Sequence, residues 1–356
     1  MKHLLIIEPN LRDPSGHYAE FVRALGARAG GEGIEVFAHP GADGMLAAMP
    51  GVRVCTAEPR VGRPLAEWRT IIRAVERDVP FLVLTADGRH AATVSVAGAL
   101  SKRPPGNARL YFHRPPSTVR DRLLLPFAAS AREHAMAIAP TDAVARSLRD
   151  GGWRRVECVP YPASGAPVPP HPARFSHLLM AGAARLNKGL DLVAALAVRW
   201  AGEGRTIPLL VQVSMKHASR HGRREGAVVD ALLSSGYRGL RADGTAPDRA
   251  EYLDRFHGAL VLAPYAREQF ASQVSGVVLD ALLHGAPVIA TGGTWPGAQV
   301  ERFGAGVTME ERTAAALSAA IDTVLADWPA YAARACEAAR TLAAEHDPRH
   351  LLESIA

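Results

Sequence analysis

The stretch Gln273-Val-Ser-Gly-Val-Val-Leu-Asp-Ala-Leu-Leu-His-Gly-Ala-Pro-Val-Ile-Ala-Thr-Gly-Gly293 decides the reading of this chain. A Ser275-Gly276 pair opens an apolar helical segment with Asp280 in its middle, and His284-Gly285 closes it. Pro287 then starts a β-branched run, Val288 to Thr291, which stops at Gly292-Gly293. A helix N-terminus presents unpaired N–H groups and about half a positive charge, and so offers a seat for phosphate. Asp280, roughly a turn and a half further in, is placed to accept hydrogen bonds from sugar hydroxyls. Phosphate at the tip and a diol beside it describe a nucleotide or nucleotide-sugar site. A plain helix-then-strand unit of a parallel sheet has the same local pattern, so this stretch leaves both readings open.

Outward from it, strand-like and helix-like segments alternate along the whole chain, which points to α/β architecture with parallel sheets. Expected strands in the first half are His3–Ile7, Ile34–Ala38, Val52–Cys55, Phe81–Leu84, Arg109–His113, Met136–Ala139 and Val156–Val159. In the second half they are Ser176–Ala181, Ile207–Val213, a short one near Gly239–Arg241, Ala259–Ala263 and Val288–Thr291. Between the halves, Pro160–Pro172 carries six prolines in thirteen residues and reads as a linker. The expectation is two doubly wound Rossmann-like domains facing across a cleft: residues 1–163, a linker at 164–174, and residues 175–335. Residues 336–356 are expected as a C-terminal helix that packs back on the first domain. Trp328-Pro329 marks a break in the Ala-rich helical tail.

Composition narrows the class. At 356 residues the chain has room for two cores, and no apolar run approaches a membrane span. The opening Met-Lys-His-Leu-Leu-Ile-Ile-Glu reads as a buried first strand and not as a signal peptide. Three scattered cysteines with no Cys-x-x-Cys spacing indicate neither disulfides nor zinc, so a reduced, cytoplasmic protein is expected. The net charge of +6 suits anionic partners but equally a solvated arginine-rich surface. P-loop, His-Glu-x-x-His, Gly-x-Gly-x-x-Gly and nucleic-acid-binding signatures are all missing from the sequence.

Several motifs in order resemble the retaining glycosyltransferases of the GT-B fold, in particular the large family 4. Gly182-Ala-Ala-Arg-Leu-Asn-Lys-Gly189 is similar to that family's Gly-x-x-Arg-x-x-Lys-Gly segment. Phe256–Tyr265 looks like the strand that delivers the donor loop, and Gly292–Trp295 with Phe303–Val307 continues the pattern. In the first half, Ser15-Gly-His-Tyr18 sits where the family places its first glycine-bearing loop, and Tyr111-Phe-His-Arg114 resembles its strand-end histidine. The resemblance implies that Arg185 and Lys188 hold the donor diphosphate, with the N–H groups around Val274, Ser275 and Gly276 as the helix end. It implies Asp280 on the nucleotide ribose, Gly16 and His17 near a phosphate or the donor sugar, and His113 on a sugar hydroxyl or the acceptor. The family's acidic pair stands eight residues apart, and the position eight before Asp280 is Ser272, which is not acidic. Glu268 is nearby but out of register.

Two fixed cations and a helix N-terminus can stabilise a leaving diphosphate without metal, and no Asp-x-Asp pair occurs in the sequence. The implied function is transfer of a sugar from a nucleoside-diphosphate sugar to a glycan, lipid-linked or small-molecule acceptor, with no cofactor or nucleic-acid partner. Bacterial surface polysaccharide or glycolipid assembly is the implied setting. The arginines beside Leu123-Leu-Leu-Pro-Phe127 suit peripheral contact with an anionic membrane, or a core-facing helix with a charged outer face. A catalytically silent nucleotide-binding or partner-binding protein of the same fold is the alternative that Ser272 supports.

Overall fold

The computed structural model describes residues 4–12, 17–29, 33–55, 63–116, 118–163, 169–213, 223–245 and 247–355. The chain divides into two compact units, Met1–Gly165 with His346–Ala356, and Ala166–Glu345.

The first unit holds a seven-stranded sheet built from β1 (Leu4–Glu8), β2 (Ile34–Ala38), β3 (Val52–Val54), β4 (Phe81–Val83), β5 (Ala108–Tyr111), β6 (Met136–Ala139) and β7 (Arg155–Cys158). Its strand order is β3-β2-β1-β4-β5-β6-β7, and every pairing is parallel. The second unit repeats the plan with β8 (His177–Met180), β9 (Leu209–Gln212), β10 (Leu240–Asp243), β11 (Ala259–Ala263), β12 (Val288–Thr291) and β13 (Gly306–Met309). Its order is β10-β9-β8-β11-β12-β13, again wholly parallel. Helices cover the sheets, so β1, β4, β6, β11 and β12 are buried along their whole length and read as apolar runs, broken only by Glu8 at the end of β1 and Thr291 at the end of β12. In each sheet the order reverses beside the first strand, between β1 and β4 and between β8 and β11. Ligands of such sheets bind off the strand carboxyl ends at that reversal.

β13 lies outside the expected strands. Gly306 has φ +147, and a Cβ there would come within 1.8 Å of the Val288 carbonyl oxygen. The close approach of β12 therefore demands glycine, and Gly304-Ala-Gly306 reads as a loop from sequence.

The expected linker is tied down where it is described: the Trp328 indole N–H donates to the Ala173 carbonyl at 2.9 Å, within the second unit. Residues 164–168 lie outside the described residues. The Ala-rich tail breaks at Asp327, with Pro329 in the first turn of the Trp328–Glu345 helix, where its missing N–H costs nothing. The chain crosses back to the first unit at His346 and not at 336. Residues 336–345 complete the Trp328–Glu345 helix, and Cys336 packs beside Gly285 of the second unit. Only the Pro348–Ile355 helix packs on the first unit, held as His346 Nδ1 donates to the Tyr161 carbonyl at 2.6 Å and Ser354 donates to Glu157.

Candidate functional site

In the second unit the chain leaves β8 at Ala181-Gly182 and β11 at Pro264-Tyr265, on the two sides of the strand reversal. Gly182 has φ +70, and its N–H donates to the Gln212 side-chain oxygen at 2.9 Å. A Cβ on Gly182 would lie 3.1 Å from Val277 Cγ2 and 3.7 Å from Lys188 Nζ. The Lys188 ammonium, the turn after β8 and the first turn of the Gly276–Leu283 helix therefore meet at one point. Arg185 precedes the short 3-10 turn Leu186–Lys188, and the Lys188 N–H donates to its carbonyl at 3.0 Å. The buried Arg185 Nε has no hydrogen-bond partner among the described residues. Burial, and after it the neighbouring Arg185 charge, together lower the Lys188 pKa from 10.5 to about 8. The ammonium also lies over the Tyr265 ring, 5.7 Å from its centroid.

Gly189 closes this loop with φ +85, and a Cβ would stand 2.7 Å from the Pro264 carbonyl oxygen and 2.5 Å from its ring. Backbone cannot retreat as a side-chain tip can. Gly189→Ala is therefore expected to cost about 2 kcal/mol or more, read as a lowered urea midpoint at unchanged slope.

Ser275 is the N-cap of the Gly276–Leu283 helix: its hydroxyl oxygen accepts from the Val278 N–H at 3.3 Å, and the hydroxyl lies 3.5 Å from the Tyr265 hydroxyl. Its side chain thus serves the helix, while the Gly276 and Val277 N–H groups are left at the tip without intrahelical partners. Val274 and Ser272 are half-buried in the turn ahead of the helix, and Glu268 is exposed on the Arg267–Phe270 helix. Gly276 differs from Gly182 and Gly189. A Cβ there would meet nothing within 4 Å, so packing makes no demand for glycine and the ground above the helix tip is open.

Asp280 sits just over one turn into the same helix and is partly buried. The Tyr252 hydroxyl donates to Asp280 Oδ2 at 3.0 Å. Burial raises the Asp280 pKa to about 6, against the lowering pull of the Tyr252 hydrogen bond and the Arg249 charge. The corner thus offers cations and N–H donors at one end and a carboxylate acceptor a helical turn away.

The structure brings Arg185, Lys188, Val274, Ser275, Gly276 and Asp280 to one corner of the second unit, with Ser272 just ahead of it. His113 belongs to the first unit, just past β5. Its Nε2 donates to the Leu84 carbonyl at 2.9 Å, and its ring packs against Tyr111, Phe21 and Tyr161. A carbonyl can only accept, so that bond fixes the Nε2–H form of the neutral ring. Gly16 lies outside the described residues. His17 begins the His17–Gly26 helix.

Three participants carry no motif. Tyr252 comes from the Arg249–Asp254 helix, remote in sequence from Asp280, and only the fold joins them. Gln212 holds the Gly182 turn from the end of β9. Arg267 ties the turn after β12 to that after β13, donating to the Gly292 carbonyl at 2.6 Å and to the Glu310 carbonyl at 2.7 Å. The polar residue before each helix was the available signal for the caps, but nothing in sequence pairs these side chains with their targets.

No protein-family model matches the chain, and no curated protein matches it. Its likeness is to solved structures. HepE of Anabaena, in complex with UDP and glucose, has a TM-score of 0.72 at 14% identity, over 100% of this chain and 98% of that one. Sucrose-phosphate synthase from Thermosynechococcus elongatus has a TM-score of 0.64 at 16% identity, over 99% of this chain and 97% of that one. WaaG, a glycosyltransferase involved in lipopolysaccharide biosynthesis, has a TM-score of 0.65 at 14% identity, over 99% of both chains. At such identities the likeness gives the fold, and the fold is the two-domain GT-B architecture of glycosyltransferases.

Proposed function

We propose that this chain is a retaining, metal-independent hexosyltransferase that moves a sugar from a nucleoside-diphosphate sugar to a glycan, lipid-linked or small-molecule acceptor. Bacterial surface polysaccharide or glycolipid assembly is the proposed setting. The observation that carries the proposal is the meeting of Lys188, the Gly182 turn and the open tip of the Gly276–Leu283 helix, with Asp280 a turn further in.

In this reading Arg185 and Lys188 take the charge that grows on the diphosphate as its bond to the anomeric carbon breaks. Arginine offers a fork and lysine a point charge, so the two do not replace each other. The Gly276 and Val277 N–H groups complete the cradle, with Val274 and Ser275 shaping its approach. Asp280 receives the ribose hydroxyls while Tyr252 holds its other oxygen. His113, with Gly16 and His17, is assigned to the donor sugar or the acceptor. Uridine diphosphate is the first nucleotide to test, because HepE is solved in complex with UDP-glucose and a trehalose-6-phosphate protein from E. coli is bound with UDP-2-fluoro glucose.

The test compares UDP-, GDP-, ADP- and TDP-sugars by thermal shift on the wild type and on Gly276→Ala. The substitution meets open space and favours helix, so the unliganded protein is expected to melt at the same temperature or slightly higher. The added methyl occupies the phosphate's ground, so the shift given by the binding donor is expected to vanish. An undiminished shift would remove the helix tip from the site. Product anomeric configuration, read by NMR, checks retention.

Ser272 favours a second reading, a silent nucleotide-binding protein of the same fold, because no carboxylate stands where a donor-sugar contact is expected. Slow hydrolysis of the donor without acceptor separates the two: the transferase performs it, and the silent form releases the donor intact.

A further inference from the structure

Ten large hydrophobic side chains are exposed among the described residues, and eight of them lie on one group of helices in the first unit. These helices are Arg63–Glu76, Gly88–Leu100, Val119–Leu124 and the 3-10 turn Leu125–Ala128, which pack against one another. Scattered exposed apolar residues need no explanation, but a cluster does. Val119 and Leu123, four residues apart on one face of the Val119–Leu124 helix, are 74% and 70% exposed, and Phe127 of the 3-10 turn that follows is 63% exposed. Leu100 and Trp68, on the Gly88–Leu100 and Arg63–Glu76 helices, are also exposed.

Within residues 119–128 no acid faces solvent, while Asp87 is partly exposed and Glu133 exposed at the neighbouring helices. Asp121, the acid of the Val119–Leu124 helix, is turned inward: it accepts from the Gly88 N–H at 3.0 Å, the Thr118 N–H at 3.0 Å and the Thr118 hydroxyl at 2.7 Å. That anchor fixes the rotation of the helix and directs its apolar face outward. Arg120, on the same helix, and Arg114, five residues ahead of Val119, are exposed. Exposed apolar side chains with cations beside them match the boundary of an anionic bilayer, with the helix lying in the plane of the surface. A two-fold contact with a second copy would bring the same cations against each other. Among the described residues no helix is long and apolar enough to cross a membrane, so contact from this face would be peripheral.

We propose that the surface carrying Val119, Leu123 and Phe127, with Arg114 and Arg120 beside it, docks the protein on an anionic lipid surface. The inference is independent of the donor chemistry. Co-flotation of the full chain with vesicles tests it, using phosphatidylcholine alone and phosphatidylcholine with about 30% phosphatidylglycerol. The wild type is expected to float with the anionic vesicles only. Leu123→Ser with Phe127→Ser is expected to weaken partitioning about a hundredfold. Arg114→Gln with Arg120→Gln is expected to weaken it about thirtyfold, and high salt should imitate the second pair. UDP-glucose binding, measured alongside, is expected to stay unchanged in all variants, which separates a failure here from a failure of the donor site. A wild type that ignores anionic vesicles overturns the proposal, as do variants that float like wild type. A dimer in sedimentation that Leu123→Ser with Phe127→Ser dissolves, without vesicle binding, assigns the face to a second copy instead.

Discussion

Lys188→Ala is expected to lower the rate of sugar transfer about a thousandfold, the scale of losing one fixed charge aimed at a developing anion in a dry site. The magnitude follows from where the ammonium sits. Among the described residues nothing acidic is bonded to it; it lies against the Gly182 turn and the Tyr265 ring, with Arg185 close enough to push its pKa in the same direction as burial does. A cation kept there costs the empty fold stability. The sign is definite: with the folded pKa lowered from 10.5 to about 8, the cost is complete below pH 8, shrinks as pH rises, and is gone above 10.5. A bound diphosphate repays the cost and draws the pKa back up. Donor binding to wild type should therefore weaken above pH 8, and between about pH 8 and 10 it should take up a proton, visible as a buffer-dependent heat in calorimetry. Lys188→Arg separates charge from shape. Its affinity should hold through the alkaline range, while its rate stays well below wild type because a planar fork does not fit the point occupied by a compact ammonium. Initial rates of nucleotide release from pH 6 to 9 check all three proteins. An Ala variant within threefold of wild type would sink the assignment of Lys188.

The fold was legible because parallel sheets covered on both faces need continuous apolar strands, and such runs stand out between glycines and prolines. Ala259–Ala263 and Val288–Thr291 are found as read. Gly306–Met309 escaped because the backbone approach that makes it a strand also demands the glycine that disguises it. The end of the second unit escaped for another reason: helix propensity carries through residues 313–352 with only two prolines, and what assigns 336–345 to the second unit is packing at Gly285 and the Arg302–Glu345 ion pair.

For the candidate site, legibility followed sequence distance. Arg185, Lys188 and their bracketing glycines are local, and their order along the chain predicts a loop off a strand end. Asp87-Gly88, a polar-glycine pair just past a strand, is a helix start: Asp87 accepts from the Arg89 and His90 N–H groups at 2.9 and 3.2 Å, and His90 is held between Asp87 and Glu67. A turn pair and a ligand pair look alike until the cap is seen. Tyr252 shows the opposite failure. A tyrosine on a short helix carries no sign that its hydroxyl will meet a carboxylate on another element, so only the assembled sheet reveals it.

That pairing leads to the second large effect. Asp280→Asn is expected to raise the stability of the unliganded protein while removing most of its affinity for donor. In the folded protein Asp280 titrates near 6 instead of 3.8, because burial opposes its charge more than Tyr252 and Arg249 favour it. A raised carboxylate pKa means the penalty is absent below pH 3.8, grows between 3.8 and 6, and is complete above 6. Asparagine removes the charge and keeps an oxygen to accept from Tyr252, so at pH 7.5 the variant should gain about 1 to 2 kcal/mol, discounted for the partial exposure of the side chain. At pH 4 the gain should disappear, since Asp280 is then nearly neutral in wild type too. The ribose sees the reverse. Two hydroxyls donating to an ionised oxygen make charge-assisted bonds that a neutral amide cannot equal, and its NH2 group offers donors where acceptors are needed. Affinity for UDP-glucose should fall about a hundredfold at pH 7.5, and wild-type affinity should decline toward the variant's as pH drops through 6. UDP-glucose is the better probe than UDP, because its diphosphate has no proton to exchange in that window and the limb belongs to the protein. Urea unfolding and calorimetry on the same two samples read both halves. A variant that loses affinity and also loses stability would mean that Asp280 is a structural partner of Tyr252 and not a seat kept charged for a ligand.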